Sequence, residues 1–257
     1  MAVFLTPDRV EQRRIGGAVL TVNQKIMPAT YLAPKYVASY VLEGRPMKPC
    51  MPLHGDGTPF GITVHNTGMI NPAAGTDAAE QYTRATYNGN MGGVIVHYYI
   101  WHDQIWQLLD DRERGWHATD GSTRRLSKDG KFNIGGNMDT IAIEAIGPDS
   151  ETEETAAALC AWLCKQYGLA PLSDIYPHQY FYPAKNCPAY ILPHWDTFLK
   201  RVKTIYLSDE PTEDQPAEWA ETSWRWARNM GLINTLKPAD VITAQHLAVI
   251  LDRLESQ

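Results

Sequence analysis

The sequence lacks the features that mark several common classes of protein. Only four of its 257 residues are cysteine, which does not suggest a small disulfide scaffold and fits a reducing compartment. No apolar run reaches the roughly 18–20 residues that a transmembrane helix needs, so membrane insertion is not expected. The N-terminus has no basic stretch followed by an apolar one, so we expect no secretory signal peptide and synthesis in the cytoplasm.

Positive charge is also scarce. The chain has 23 Lys and Arg against 29 Asp and Glu, a net charge of −6. Nucleic-acid binding needs a basic face, so no nucleic-acid partner is expected. The His-Glu-x-x-His motif of the commonest zinc peptidases is absent as well.

A short aromatic and proline-containing loop holds two residues of the types that bind zinc. His178 and Cys187 stand nine positions apart in this loop. Zinc binds imidazole nitrogen and thiolate sulfur, and catalytic sites use three protein ligands and keep one position open. His65, at the end of the β-type run 61–65, is the best third donor. On residue types alone, a loop histidine and a buried cysteine without a metal explain the pair better.

Five motifs in a fixed order favour the metal site. They are Val64-His65-Asn66-Thr67, Val96-His97-Tyr98-Tyr99, Gly115-Trp116-His117-Ala118, Thr140-Ile141-Ala142-Ile143-Glu144 and Lys185-Asn186-Cys187-Pro188. With these motifs the chain resembles the zinc-dependent N-acetylmuramoyl-L-alanine amidases of type 2, whose fold is shared with peptidoglycan recognition proteins. The resemblance is greatest to the phage endolysin and bacterial autolysin branch, and it covers roughly residues 55–206.

The resemblance implies a fold and a reaction. The fold is α/β, with a mixed central β-sheet flanked by helices, and the reaction is hydrolysis of the amide between N-acetylmuramic acid and L-alanine in bacterial peptidoglycan. The cofactor implied is Zn²⁺, held by His65, His178 and Cys187. Glu144 matches the catalytic acid/base of the family, and Lys185 matches the lysine that stabilises the oxyanion.

The same motifs imply the residues that contact the substrate. These are Asn66, Thr67, His97, Trp116 and His117. For His97 and His117, a supporting position behind the metal ligands is an equally good interpretation.

Two departures from the family pattern and two other functions bear on this assignment. The spacing from His178 to Cys187 is one residue longer than the eight common in the family, and Val96 replaces a tyrosine that some relatives use.

Without the family context, Glu144 could equally be paired with a Lys or Arg. A non-catalytic peptidoglycan-binding protein is the main alternative, although such proteins lack the metal-binding cysteine. A zinc peptidase that cuts the stem peptide is a third.

The resemblance, together with the shift in composition at 208–216, implies four regions. Residues 1–54 form an N-terminal extension packed on the catalytic domain, 55–207 the zinc amidase domain, 208–216 an acidic linker and 217–257 a small helical module. The module resembles a single S-layer-homology-type repeat, but a plain helical hairpin without a ligand is at least as well supported. Self-association and wall-polymer binding are both open as its role. An endolysin of this kind would reach the wall through a phage lysis pore.

Local patterns predict the secondary structure of the catalytic domain. Strands are expected at 61–65, 94–101, 105–108 and 140–146, helices at 76–87, 151–167 and from 195 onward, and a loop at 119–137. Thr76 and Ser150 are the expected helix caps. Cys160 and Cys164 fall on the apolar stripe of helix 151–167, so we assign them to the core rather than to a metal.

Overall fold

The computed structural model describes residues 4–68, 77–118, 125–127, 130, 133–208 and 227. The chain divides into two compact units, Met1–Tyr206 and Leu207–Gln257. The linker and helical module expected at 208–216 and 217–257 lie outside the described residues, except for Ser208 and Ala227. These two regions therefore stay predictions.

A mixed β-sheet forms the centre of the first unit. The strands among the described residues are β1 (Arg9–Ile15), β2 (Ala18–Gln24), β3 (Gly61–Thr67), β4 (Tyr98–Trp101), β5 (Gln104–Gln107), β6 (Arg125–Leu126), β7 (Asn133–Ile134), β8 (Thr140–Ile146) and β9 (Ile175–Pro177). Seven of them form one sheet in the order β1-β2-β5-β4-β8-β3-β9, and β6 pairs with β7. Strands β4, β8, β3 and β9 run parallel to one another, whereas β1–β2 and β4–β5 are antiparallel.

Helices cover both faces of this sheet. They are α1 (Ala78–Tyr87), α2 (Gly136–Asp139), α3 (Ser150–Tyr167), α4 (His178–Phe181) and α5 (Trp195–Ser208). α3 and α5 share one apolar cluster with the sheet, and α1 belongs to a second cluster. In the described part of the chain, no helix has the length and apolar content needed to span a membrane. The predicted α/β architecture with a mixed, helix-flanked sheet is confirmed.

The central strand β8 shows how sequence alternation builds the two faces. Ile141, Ile143 and Ala145 join the cluster under α3, whereas Ala142 joins the opposite cluster. Side chains alternate along a strand, and a parallel strand in the middle of a sheet is buried on both sides. Glu144 shares the face of Ala142, so a carboxylate stands on an otherwise apolar strand.

The two cysteines of α3 lie in the core. Cys160 and Cys164 are fully buried in the cluster under the helix, as the apolar stripe predicts. Asp149 caps this helix, and Asp77 caps α1, each accepting a hydrogen bond from a backbone N–H three residues further on. The prediction of Ser150 as a cap was wrong by one residue, because the aspartate just before it adds a favourable negative charge at the helix start.

Two other predictions need correction. Strand β4 begins at Tyr98 rather than at 94. In a continuous strand, a backbone carbonyl would accept the N–H of Ala142, but here Nδ1 of the His97 ring accepts it. Before it, Ile95 forms only an isolated bridge with Trp116. The predicted loop 119–137 contains β6, β7 and the start of α2 in its described part.

Residues 25–51 pack on the face that carries α1. Their buried side chains include Met27, Ala33, Val41 and Met47, all in the second apolar cluster. The segment has little regular structure, and backbone bonds hold it instead, such as those joining Ala33 N to the Arg45 carbonyl and Met47 N to the Tyr31 carbonyl. The segment therefore covers the sheet face that carries α1, through contacts with residues that are distant in the sequence.

Candidate metal centre and active site

Three adjacent strands place the chemically active side chains on one face of the sheet. His65 on β3 lies in register with Glu144 on β8, and Glu144 lies in register with Tyr99 on β4. In-register neighbours in a parallel sheet point the same way, about 5 Å apart. His178 begins α4 directly after β9, which pairs with β3 on its other side. The candidate site therefore lies near the carboxyl ends of parallel strands.

The loop after α4 brings Cys187 back over β3. Gln179 N donates to the Cys187 carbonyl at 2.8 Å, Cys187 N donates to the Lys185 carbonyl at 3.0 Å, and Lys185 N donates to the Tyr182 carbonyl at 3.0 Å. These main-chain bonds close the loop on the helix that carries His178. The loop thus accommodates its longer spacing without separating the two ligands.

His65, His178 and Cys187 converge as the sequence predicts for a metal site. One ligand atom from each lies within 4.8 Å of the others, and Cys187 Sγ is 3.8 Å from His65 Nδ1. In tetrahedral zinc coordination, such nitrogen and sulfur atoms are about 3.3–3.6 Å apart. All three residues are buried. The donor set and its spacing therefore fit a zinc ion after small side-chain adjustments.

The protonation states of the two histidines favour the binding of a cation. Burial lowers the pKa of His65 well below its ordinary value and that of His178 to about 4, so both imidazoles are neutral and keep a lone pair. Burial raises the pKa of the Cys187 thiol to about 11. A metal bound here would have to displace the thiol proton, so its binding would release a proton.

Glu144 and Lys185 supply the charges around this triad. Burial raises the pKa of the Glu144 carboxyl to about 8, and the positive charge of Lys185 opposes this rise. Lys185 is exposed, and its charge also lowers the pKa of His65 and His178. Lys185 is therefore close enough to influence the ionisation of both histidines and of the Glu144 carboxyl.

Comparison with known proteins decides the family. The family model described as N-acetylmuramoyl-L-alanine amidase, Amidase_2, matches residues 55–190. The chain belongs to this amidase family. The resemblance drawn from the five motifs is thereby confirmed, and the residues 1–54 lie before the matched part.

Two relatives and one solved structure illustrate the similarity. The N-acetylmuramoyl-L-alanine amidase CwlH of Bacillus subtilis (strain 168) is 31% identical over 183 residues, covering 70% of this chain and 63% of CwlH. The amidase XlyA of the same organism is 34% identical over 146 residues, covering 55% of this chain and 43% of XlyA. The catalytic domain of XlyA superposes with a TM-score of 0.53 at 26% identity, covering 70% of this chain and 98% of that domain. The chain thus spans less than two thirds of the length of these two curated relatives.

In this member of the amidase family, the His117 ring lies against the His65 ring. Its Nδ1 lies 3.1 Å from His65 Nε2, and the ring is buried. The backbone N–H groups of His117 and Ala118 both donate to Asn137 Oδ1 at 2.7 Å. At Gly115, a Cβ would lie 2.6 Å from the Ile95 carbonyl, so glycine allows this segment to approach the sheet. Sequence reasoning missed Asn137, because a polar, glycine-rich stretch gives no periodic signal.

His97 stabilises the sheet rather than facing the site. Its Nδ1 accepts the Ala142 N–H at 3.0 Å, and its Nε2 donates to the Glu113 carbonyl at 2.8 Å. Burial lowers its pKa to about 4, so the ring stays neutral. Both ring nitrogens are already occupied by the main chain, so the structure does not bring His97 together with the metal ligands.

The other three residues expected to contact substrate have different positions. Thr67 is buried on the face of His65. Asn66 points to the opposite face, where its amide donates to the Ala145 carbonyl and accepts from Tyr190 N. Trp116 is partly exposed. Asn66 is partly exposed as well, but on the face away from His65.

Glu144 should make the metal-free amidase less stable as the pH rises. The pKa of its carboxyl is 4.5 ordinarily and about 8 in the fold, so between these values the folded state holds a proton that the unfolded state has lost. Each increase in pH across this window therefore favours unfolding. With a chelator present, Glu144→Gln should melt at the same temperature as the parent at pH 4.5 and about 10–15 °C higher at pH 8.5, because the rise in pKa corresponds to about 4–5 kcal/mol. Equal melting temperatures at pH 8.5 would contradict this account.

Proposed function

We propose that this chain is a zinc-dependent N-acetylmuramoyl-L-alanine amidase. It hydrolyses the amide between the lactyl group of N-acetylmuramic acid and the L-alanine of the stem peptide in bacterial peptidoglycan. The observation that carries the proposal is the convergence of His65, His178 and Cys187 beside Glu144 on the neighbouring strand. Membership of the amidase family and the names of both curated relatives support the same reaction.

His65, His178 and Cys187 would hold the zinc ion as three protein ligands, the number that catalytic zinc sites use. A zinc ion held by these ligands supplies a Lewis acid and lowers the pKa of water. The ligand set, which consists of two neutral imidazoles and one thiolate, carries a single negative charge. The remaining chemistry falls to side chains that surround these ligands.

Glu144 moves the proton in the proposed reaction. Its carboxylate takes a proton from the attacking water and returns it to the nitrogen of L-alanine as the amide bond breaks. General acid–base catalysis works best when the pKa of the group is near the working pH, and a pKa raised from 4.5 to about 8 meets this condition. Glu144 is partly exposed as a residue, unlike the fully buried strand residues on either side of it.

Lys185 stabilises the negative charge that develops on the carbonyl oxygen. Its ammonium group is exposed on the loop that carries Cys187, and its charge acts on both Glu144 and the histidine ligands. A donor aimed at an oxyanion contributes about 3–4 kcal/mol to transition-state stabilisation in other enzymes. The lysine therefore complements the proton transfer by Glu144.

His117 orients the first ligand in this scheme. When His65 presents Nδ1 toward Cys187 and the metal, its Nε2–H donates to His117 Nδ1. Bonds of this kind fix the ring and the tautomer of metal-binding histidines. Asn137 in turn holds the His117 backbone through two hydrogen bonds.

Replacing His117 by alanine should weaken zinc binding by about 10–100-fold, the range seen for partners of metal-binding histidines. The loss follows because His65 would keep its ligand atom but lose the bond that orients it. Competition with a fluorescent chelator measures the affinity, and thermal unfolding checks the fold. His194→Ala is the matched control, since His194 is exposed and pairs with Glu153 elsewhere. Zinc binding as tight as in the parent would remove His117 from the scheme.

Incubation of the purified protein with bacterial cell walls tests the proposed function. We expect free amino groups of L-alanine to accumulate without new reducing sugars. Binding to the walls without any new ends would favour a peptidoglycan-recognition protein instead. New amino groups on other stem-peptide residues would favour a peptidase. The bacterial cell wall is also the proposed place of action. If the protein is an endolysin, it would reach the wall through a lysis pore. For the module 217–257, we propose wall-polymer binding or self-association.

A further inference from the structure

The segment 25–51 lies outside the family match yet covers the face of the sheet that carries the active site. The match begins at residue 55. Val41 and Met47 of the segment are fully buried in the same apolar cluster as Tyr99, the in-register neighbour of Glu144. The segment is therefore part of the wall around this site, although the family pattern does not include it.

Tyr40 of this segment forms an aromatic pair with Trp116. The ring centroids are 5.1 Å apart and the planes are tilted by 53°. Tyr40 is 53% exposed and Trp116 is partly exposed, so both rings offer surface to a ligand. Trp116 directly precedes His117, whose ring contacts the ligand His65. The pair is thus joined by one peptide bond to the residue that contacts His65.

The turn that carries Tyr40 is held in place by backbone bonds and by packing. A tight turn closes through hydrogen bonds between Val41 and Ala38, and buried Val41 anchors it. Gly93, with φ at +83°, lies against the turn, and a Cβ there would come within 3.1 Å of Tyr40 Oη. Glycine at this position therefore lets the turn approach the domain. An aromatic side chain on such a turn loses little conformational entropy when it binds a ligand.

We propose that Tyr40 and Trp116 form a subsite for a sugar ring of the glycan strand. This inference rests on the proposed amidase function. The faces of a pyranose ring carry C–H groups, which pack on the electron-rich face of an aromatic ring. The stem peptide carries carboxylates, for which two neutral rings offer no opposite charge. The aromatic pair therefore selects an N-acetylated hexosamine rather than the peptide.

The same segment provides a matched control. Tyr36 is four residues before Tyr40 and is 62% exposed. Among the described residues, the ring contacts of this region join Tyr40 to Trp116 and Tyr31 to Tyr87, and Tyr36 takes part in neither. Substitution of Tyr36 removes the same chemical group from the same surface without removing the aromatic pair.

The subsite is tested with the N-acetylglucosamine tetramer as the probe, titrated against the full chain and followed by NMR. This oligosaccharide has no stem peptide and is not cleaved by the proposed reaction. We expect Tyr40→Ala and Tyr40→Leu to weaken binding at least fivefold, whereas Tyr40→Phe and Tyr36→Ala stay within twofold of the parent. Tyr40→Leu keeps apolar bulk in the turn, so it serves if the alanine variant fails to fold. On cell walls, loss of the ring should raise KM and leave kcat within twofold.

Three results would overturn the proposal. They are no measurable binding by the parent, unchanged binding by Tyr40→Leu, and equal weakening by Tyr36→Ala. Release of L-alanine amino ends by the parent is measured in parallel. If these ends appear but Tyr40 does not affect binding, the subsite is wrong and the amidase function stands. If binding requires Tyr40 but no ends appear, the amidase function is wrong and a sugar-binding surface stands.

Discussion

Replacing Cys187 by serine is expected to lower zinc affinity by at least about 10³-fold and to abolish amide hydrolysis. Cys187 is the one ligand of the three that binds as an anion, and a serine hydroxyl is a poor substitute for a thiolate. The fold should survive, because the loop is closed by main-chain bonds such as the one from Gln179 N to the Cys187 carbonyl. Zinc content after dialysis against buffered zinc gives the measurement, together with release of L-alanine amino ends.

Cys50→Ser is the control for this experiment. Cys50 is exposed and lies outside the metal site, so its loss should change neither zinc content nor hydrolysis. A Cys187→Ser protein that retains one equivalent of zinc and full hydrolysis would show that the proposed triad does not hold the metal. A Cys187→Ser protein that fails to fold would show that the loop depends on the thiol itself.

Glu144→Gln is expected to keep zinc and to lose about 10²–10⁴-fold in kcat, the usual contribution of a general acid–base group. The amide has nearly the same shape as the carboxyl but cannot accept the proton of the attacking water. Binding of substrate should change little, because the variant keeps the metal ligands and Lys185. Steady-state kinetics on soluble peptidoglycan fragments separate kcat from KM.

Glu154→Gln is the matched control for Glu144. Glu154 lies in α3, on the other side of the sheet, and pairs with Arg201 there. Its substitution should leave kcat unchanged. If Glu144→Gln hydrolyses as fast as the parent, another group performs the proton transfer; if it loses zinc, Glu144 supports the metal instead. Together, the Cys187 and Glu144 variants separate metal binding from proton transfer.

The parts of the fold that could be predicted are those with a local, repeated signal. β8 is a nearly continuous run of apolar residues, as expected for a strand buried on both faces, and α3 carries an apolar stripe that ends at Gly168, whose φ of 66° closes the helix. The segment 25–51 has no such period, because its residues are buried through contacts with distant parts of the chain. The early start predicted for β4 failed at His97, where a side chain replaces a backbone partner.

The convergence of His65, His178 and Cys187 could be predicted because the motifs that carry them occur in the order of the family, although residue types alone favoured no metal site. The residues that surround these three were harder to predict. Alternation along β3 already implies that Asn66 points away from the face of His65, and the structure shows this arrangement. By contrast, Asn137 and Tyr40 contact the site region only through tertiary packing, and neither lies in a motif. Local patterns carry no information of that kind.

Hydrolysis of a defined N-acetylmuramoyl peptide in ¹⁸O-labelled water tests the central claim most directly. Attack on the lactyl amide should place one ¹⁸O atom in the lactyl carboxylate of N-acetylmuramic acid and release an unlabelled peptide with a free L-alanine N-terminus. Mass spectrometry of the two fragments reads both outcomes at once. A label in a peptide carboxylate, or in the reducing end of the sugar, would show that another bond is cut and would contradict the account.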